Sequence, residues 1–181
     1  MNEIEQRTRQ WLEQAVIGLG LCPFASQPYG RDQVAIVVSD ATGEAQLLAQ
    51  LSAELRRLDD SAAGERETTL LVVPAMLADF LDYNDFLDQV DALLENHGDG
   101  DAYQVASFHP AYQFAGTAPG DAENYTNRAP YPILHILRED SLSRALEHYP
   151  DADLIPERNI EAMNRLGAAA LKRLFAGWRA P

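Results

Sequence analysis

Three residue types that do chemistry stand out in this chain: a single thiol, Cys22, in the turn Leu-Cys-Pro-Phe-Ala; an imidazole, His109; and an arginine, Arg128. The last two lie in the stretch from Ser107 to Glu139, which is dense in aromatics, prolines and amides. A thiolate beside an imidazole supports acyl or related group transfer, hydrolysis included, with Cys22 as nucleophile and His109 as its proton acceptor, provided sulfur and nitrogen come within hydrogen-bond reach. Arg128, in Asn-Tyr-Thr-Asn-Arg-Ala-Pro-Tyr-Pro, has no acid nearer in sequence than Glu123. Its guanidinium suits a bidentate grip on a carboxylate or phosphate. Asn124, Tyr125, Asn127 and Tyr131 would add hydrogen bonds and an apolar wall around such an anion, with Arg158 reaching in from a neighbouring helix.

Each residue also has a plainer reading. A free cysteine beside Leu21 and Phe24 is commonly a small buried hydrophobe, His109 can close the loop it begins, and Arg128 can pin that loop to the scaffold. His135 alternates with Ile133 and Leu137 in Ile-Leu-His-Ile-Leu, the setting of a core histidine whose polar atoms are paired. With His109 and Cys22 it forms an alternative three-ligand zinc set with a position open for water, although the spacing matches no compact motif such as His-Glu-x-x-His. Asp79, Asp82, Asp85 and Asp88 recur every third residue, as on the solvated face of a helix. No cofactor is expected: Gly-Leu-Gly-Leu-Cys-Pro follows a helix where a nucleotide fingerprint follows a strand, and no Gly-x-x-x-x-Gly-Lys occurs.

The elements that must position these residues follow from periodicity. Ile4, Thr8, Trp11, Leu12, Ala15 and Leu19 fall at helical spacing and predict an amphipathic helix closing near Gly18 or Gly20. Residues 34–39, apolar on both alternating faces, predict a central strand covered on two sides. Thr42 can cap a helix carrying Leu47, Leu51, Leu55 and Leu58. Strands are expected at 68–73, 103–108 and 133–137. A long helix is marked by Phe80, Leu87, Val90 and Leu94, with Gly98 and Gly100 as its stop. Asp140 and Ser141 open a short helix, and Pro156 opens a last one running through Leu174. Two consecutive strand-helix-strand units favour right-handed parallel crossovers, with the fourth strand returning antiparallel beside the third. The expected fold is an α/β sandwich with a four-stranded mixed, mainly parallel sheet flanked by helices, in one domain over residues 1–181. Residues 109–132 are too long for a routine connector, and their aromatics point to an ordered lid.

A formal charge of −14 excludes the basic surface that nucleic acid or anionic membrane requires. No apolar run approaches the roughly 18 residues of a membrane span. One cysteine precludes an internal disulfide and fits a reducing compartment, so a cytoplasmic location is expected. The first helix could pack on its own sheet or on another subunit, leaving a homo-oligomer open.

Leu-Cys-Pro-Phe-Ala at 21–25, Phe-Leu-Asp-Tyr-Asn-Asp-Phe-Leu-Asp at 80–88, Ser-Phe-His-Pro-Ala-Tyr-Gln-Phe-Ala-Gly-Thr at 107–117 and residues 124–139 together resemble the domain-of-unknown-function 1415 family (DUF1415), and Glu-Arg-Asn-Ile-Glu-Ala-Met-Asn-Arg-Leu-Gly at 157–167 extends the resemblance. It implies relatives over almost the whole chain and brings no activity, cofactor or catalytic residue with it. The residues themselves predict a small-molecule enzyme, a hydrolase or group transferase, acting on an anionic substrate in a pocket roofed by 109–132. A binding module that captures an anionic metabolite without transforming it is the first alternative, and a histidine-based metalloenzyme the second.

Overall fold

The computed structural model describes residues 2–98 and 100–178. Helix α1 (Glu3–Trp11) starts at Asn2, whose side chain accepts a hydrogen bond from the Glu5 amide, and a π-helical turn continues it over Leu12–Ile17. A short helix α2 (Ser26–Gly30) leads into strand β1 (Val34–Val38). Helix α3 (Glu44–Asp59) then crosses to strand β2 (Thr68–Val72), and helix α4 (Phe80–Glu95) to strand β3 (Tyr103–Phe108). A long excursion carrying a 3-10 turn over Ala122–Thr126 returns as strand β4 (Ile133–Arg138). Helices α5 (Glu139–Glu147), α6 (Ile155–Leu166) and α7 (Ala168–Ala176) follow.

The sheet runs in the order β1-β2-β4-β3. Only β1 and β2 pair in parallel, whereas β4 lies between β2 and β3 and is antiparallel to both, so the sheet is mixed and not mainly parallel. The crossover through α4 skips one strand position, and β4 fills the gap. Every residue of β2 is buried, while β1 is half-buried throughout. Residues 34–38 thus form an edge strand, not the central one that their apolar run suggests. An apolar run records cover on two faces and cannot record whether a second neighbour pairs in the sheet plane.

Two other expectations fail locally. The cap of α3 is Gly43, which makes no side-chain cap bond, and Thr42 instead donates its amide to Gln46. The last predicted helix is two, because Gly167 takes φ 79° between α6 and α7, a left-handed backbone that breaks the α-helical ladder.

Alternation along the strands divides the core. Leu71, Val73, Leu134 and Ile136 face α3 and α4, meeting Leu47, Leu51, Leu55, Tyr83, Phe86 and Val90. Leu70, Val72 and Ile133 face the opposite way, toward Trp11, Leu12, Tyr125, Met163, Leu171 and Phe175. Tyr83 stitches the ends of β4 and β3, donating its hydroxyl to the Ile133 carbonyl at 2.7 Å and accepting from the Phe108 amide at 3.2 Å. On the Trp11 face, α1 packs against β1 and α5 against β4, while α6 and α7 pack on the 122–126 turn. Between these elements the sheet borders a hollow. Among the described residues no helix is long and apolar enough to cross a membrane.

Candidate ligand-binding cavity

Part of the sheet on this face is the floor of a cavity of about 600 Å³, within the roughly 300–1,000 Å³ usual for small-molecule sites. Its floor is Thr68 and Leu70 of β2, His135 and Leu137 of β4, and Ala106 and Phe108 of β3. Register makes this a contiguous surface: His135 stands opposite Leu70 on one side and Ala106 on the other. One wall is the buried face of α1 and its π turn, another is the Cys22–Tyr29 segment, and a third is α5 through Leu142 and Ala145. Two of these walls meet where Phe24 and Tyr149 stack edge to face, with centroids 5.3 Å apart.

The sequence explains why the hollow persists. The apolar residues of α5 fall on one side, yet the helix contains no buried residue. That apolar side borders the cavity, so α5 roofs space where an ordinary amphipathic helix fills it. The opposing wall is fixed by Asn159, which donates to the Leu21 carbonyl at 2.8 Å, and by Tyr29, whose hydroxyl donates to Glu13 at 2.6 Å.

Charge is placed at the opening. The exposed lining residues include Arg31, Arg144 and His148, with Arg138 inside them and Glu67 as the acid among the lining residues. The Arg138 guanidinium is held by the carbonyls of Leu58, Ser61 and Arg66, on the α3 side of the sheet with Leu134 and Ile136. The Arg144 guanidinium donates to the Ser141 hydroxyl at 3.1 Å, and Arg31 lies against the Gln27 amide oxygen. In a chain with twice as many acids as bases, this is a local reversal of sign.

His135 is the polar centre of the floor. Its Nε2 lies 2.7 Å from the Thr68 hydroxyl, which in turn lies 2.5 Å from the Ile136 carbonyl. A carbonyl cannot donate, so the hydroxyl hydrogen goes to Ile136 and the imidazole must donate from Nε2. Burial lowers the pKa of this ring to about 4, which keeps it neutral at physiological pH.

Cys22 lines the same cavity, half-buried, and burial pushes its thiol up, opposed only in part by the amides of Phe24 and Ala25. It therefore sits protonated at neutral pH. Iodoacetamide should alkylate it at least about tenfold more slowly than a free cysteine, since thiolate fraction and access both limit the rate. Modification as fast as that of glutathione would show an activated thiol.

The other residues singled out by sequence lie elsewhere. None of residues 109–132 borders this cavity. His109 is fully buried beside Phe80 and Tyr83. Its Nε2 donates to the Leu77 carbonyl and its Nδ1 accepts from the Ala111 amide, each at 3.0 Å. Burial lowers its pKa, against a smaller opposing pull from Leu77 and Asp79. Both ring nitrogens are thus committed, and the bond to Leu77 holds a residue that carries a left-handed backbone, φ 57°.

Arg128 is almost wholly buried, donating to the carbonyls of Tyr112 and Pro119 and lying 4.3 Å over the Tyr125 ring. Asn124 is the buried hub of the same segment, accepting from the Phe114 amide and donating to the Ala118 carbonyl. Asn127 donates to the Ser107 carbonyl, and Tyr125 and Tyr131 are core residues. Arg158 is exposed and faces Asp151 at 3.5 Å. These contacts fasten residues 109–132 to themselves and to the sheet, so the segment is no roof to this cavity.

Among the described residues no group of three or more His, Cys, Asp or Glu side chains is placed to hold a metal ion. Cys22, His109 and His135 are therefore not a ligand set, because His109 has its nitrogens bound away from the cavity that the other two line. Of the aspartate row, Asp79 caps α4 through the amides of Leu81 and Asp82, and Asp82, Asp85 and Asp88 are solvated.

Fold and site together define an α/β protein with helices on both faces of a mixed sheet and an apolar cavity entered past arginines. The chain belongs to the family described as protein of unknown function (DUF1415), whose model matches residues 3–173. No curated protein matches the chain, and no solved structure does.

Sequence reasoning missed the cavity because its parts are individually ordinary: an alternating strand, an amphipathic helix, a proline-bounded turn. The signal available was the pairing of two solvent-side arginines, Arg31 and Arg144, with the apolar stripe of 139–147, and it becomes legible only once β4 is known to lie beside β2.

Proposed function

We propose that this protein binds a small amphipathic acid, with the apolar body in the cavity on the Trp11 face and the acidic group at Arg31 and Arg144. The observation that carries this reading is the combination of an apolar cavity of about 600 Å³ with a cationic opening in a chain of net charge −14. Binding is favoured over group transfer by the state of the thiol: Cys22 is raised by burial, and the imidazole expected to activate it, His109, has both nitrogens engaged elsewhere.

Fluorescence of 8-anilinonaphthalene-1-sulfonate tests this, since the dye couples an aromatic body to a sulfonate. The dye should brighten on binding and be displaced by decanoate well ahead of 1-decanol. Ala106→Phe, which fills the floor, and Arg144→Glu, which reverses charge at the opening, should each weaken decanoate by about tenfold or more, the scale of one lost charge-assisted contact or of occluded apolar volume. Equal displacement by acid and alcohol, unaltered in Arg144→Glu, would show that the opening does not read charge and would defeat the proposal.

A further inference from the structure

An apolar cavity with one polar atom in its floor discriminates among the ligands that fit it. His135 is on an interior strand, flanked by Leu70 and Ala106. The Thr68 hydroxyl fixes its tautomer by accepting from Nε2 and passing its own hydrogen to Ile136. The other ring nitrogen, Nδ1, is then a bare lone pair with no hydrogen bond to any described residue. It does not figure among the sealed, unpartnered buried polar atoms, which are Arg7 Nη1 and Thr69 Oγ1, so it is reached by space, and the space that His135 borders is the cavity. A purely hydrocarbon ligand would strip water from this acceptor and return nothing, whereas a donor placed there recovers the hydrogen bond.

Resting on the amphipathic-acid reading above, we infer that the ligand carries a hydroxyl or N–H donor on its apolar body, and that His135 Nδ1 accepts from it. His135 is a specificity-determining residue, and the ligand class narrows to acids with a donor remote from the acid group. Thr68 is a positioning residue: it acts through the imidazole by holding the proton on Nε2.

Calorimetric titration with decanoate and a series of monohydroxydecanoates tests this, and indole-3-butyrate paired with its N-methyl derivative supplies the N–H arm. Wild-type protein should prefer at least one donor-bearing ligand over its partner by about tenfold. In His135→Phe each donor-bearing ligand should bind as its partner does, whatever the affinity of either, and the preference should disappear. Thr68→Val should reduce it, because the freed ring can move its proton to Nδ1. A direct readout needs no variant: the ¹⁵N resonance of unprotonated Nδ1 should move on saturation with the preferred ligand and stay in place with decanoate. Wild-type protein that binds decanoate as tightly as every hydroxy isomer, and indole-3-butyrate no tighter than its N-methyl derivative, overturns this inference and leaves the amphiphile reading intact. Failure of all the acids to bind overturns that reading and this inference together.

Discussion

Replacing Arg128 with Met should lower the free energy of unfolding by about 3 kcal/mol while leaving decanoate affinity within about twofold of wild type. Arg128 is 8% exposed, and its guanidinium serves the carbonyls of Tyr112 and Pro119 in one loop while lying on Tyr125. Methionine keeps much of the volume and the stem but returns no donors. Two carbonyls then lose partners, at roughly 1–3 kcal/mol each where water does not replace them. Relief from burying a charge offsets part of this. The loss should spread to Trp11, whose indole donates to the Arg128 carbonyl at 3.0 Å and whose ring meets Phe108 edge to face. Chemical denaturation with decanoate titration on the same protein checks both halves. An Arg128→Met protein as stable as wild type but unable to bind would restore Arg128 to the ligand.

The contrast between Arg128 and Arg31 shows what could be read from the chain alone. Arg128 attracts attention because no acid lies near it in sequence, but a guanidinium has five donors and backbone carbonyls satisfy them as well as carboxylates do. Sequence counts acids and cannot count carbonyls turned inward by a loop. Arg31 and Arg144 look like ordinary surface charge, and only the fold shows that both border one apolar hollow. His109 and His135 reverse in the same way. The histidine in the loop proves to be wholly bonded, and the one in an apolar strand keeps a nitrogen with no hydrogen bond among the described residues, because Thr68 of the neighbouring strand takes up only one side of the ring. Strand and helix positions were legible because they follow from local periodicity. The insertion of β4 between β2 and β3, which creates the cavity floor, depends on pairing across more than 60 residues of chain and leaves no periodic trace.

His135 also makes stability and binding depend on pH in a defined direction. Its pKa in the folded protein is about 4, against 6.5 for the ordinary side chain. The cause is burial, and the charged or titratable residues lining the cavity are Cys22, Tyr29, Arg31, Glu67, Arg138, Arg144 and His148. The unfolded chain takes up the proton more readily, so the contribution is fully present above the unfolded value and is lost as pH falls from about 6.5 through 4. At about 1.4 kcal/mol for each unit of separation, the loss over that window is about 3 kcal/mol. His109, lowered in the same sense, adds to it. Other groups also titrate on acidification, so the test is the difference between wild type and His135→Phe: the unfolding free energy of wild type minus that of the variant should fall by about 3 kcal/mol between pH 7.5 and 4. Protonation also converts Nδ1 from acceptor to donor, so the preference for a donor-bearing acid should vanish before the fold does. Parallel stability curves for the two proteins would place His135 in contact with bulk water and remove the dry floor on which that preference depends.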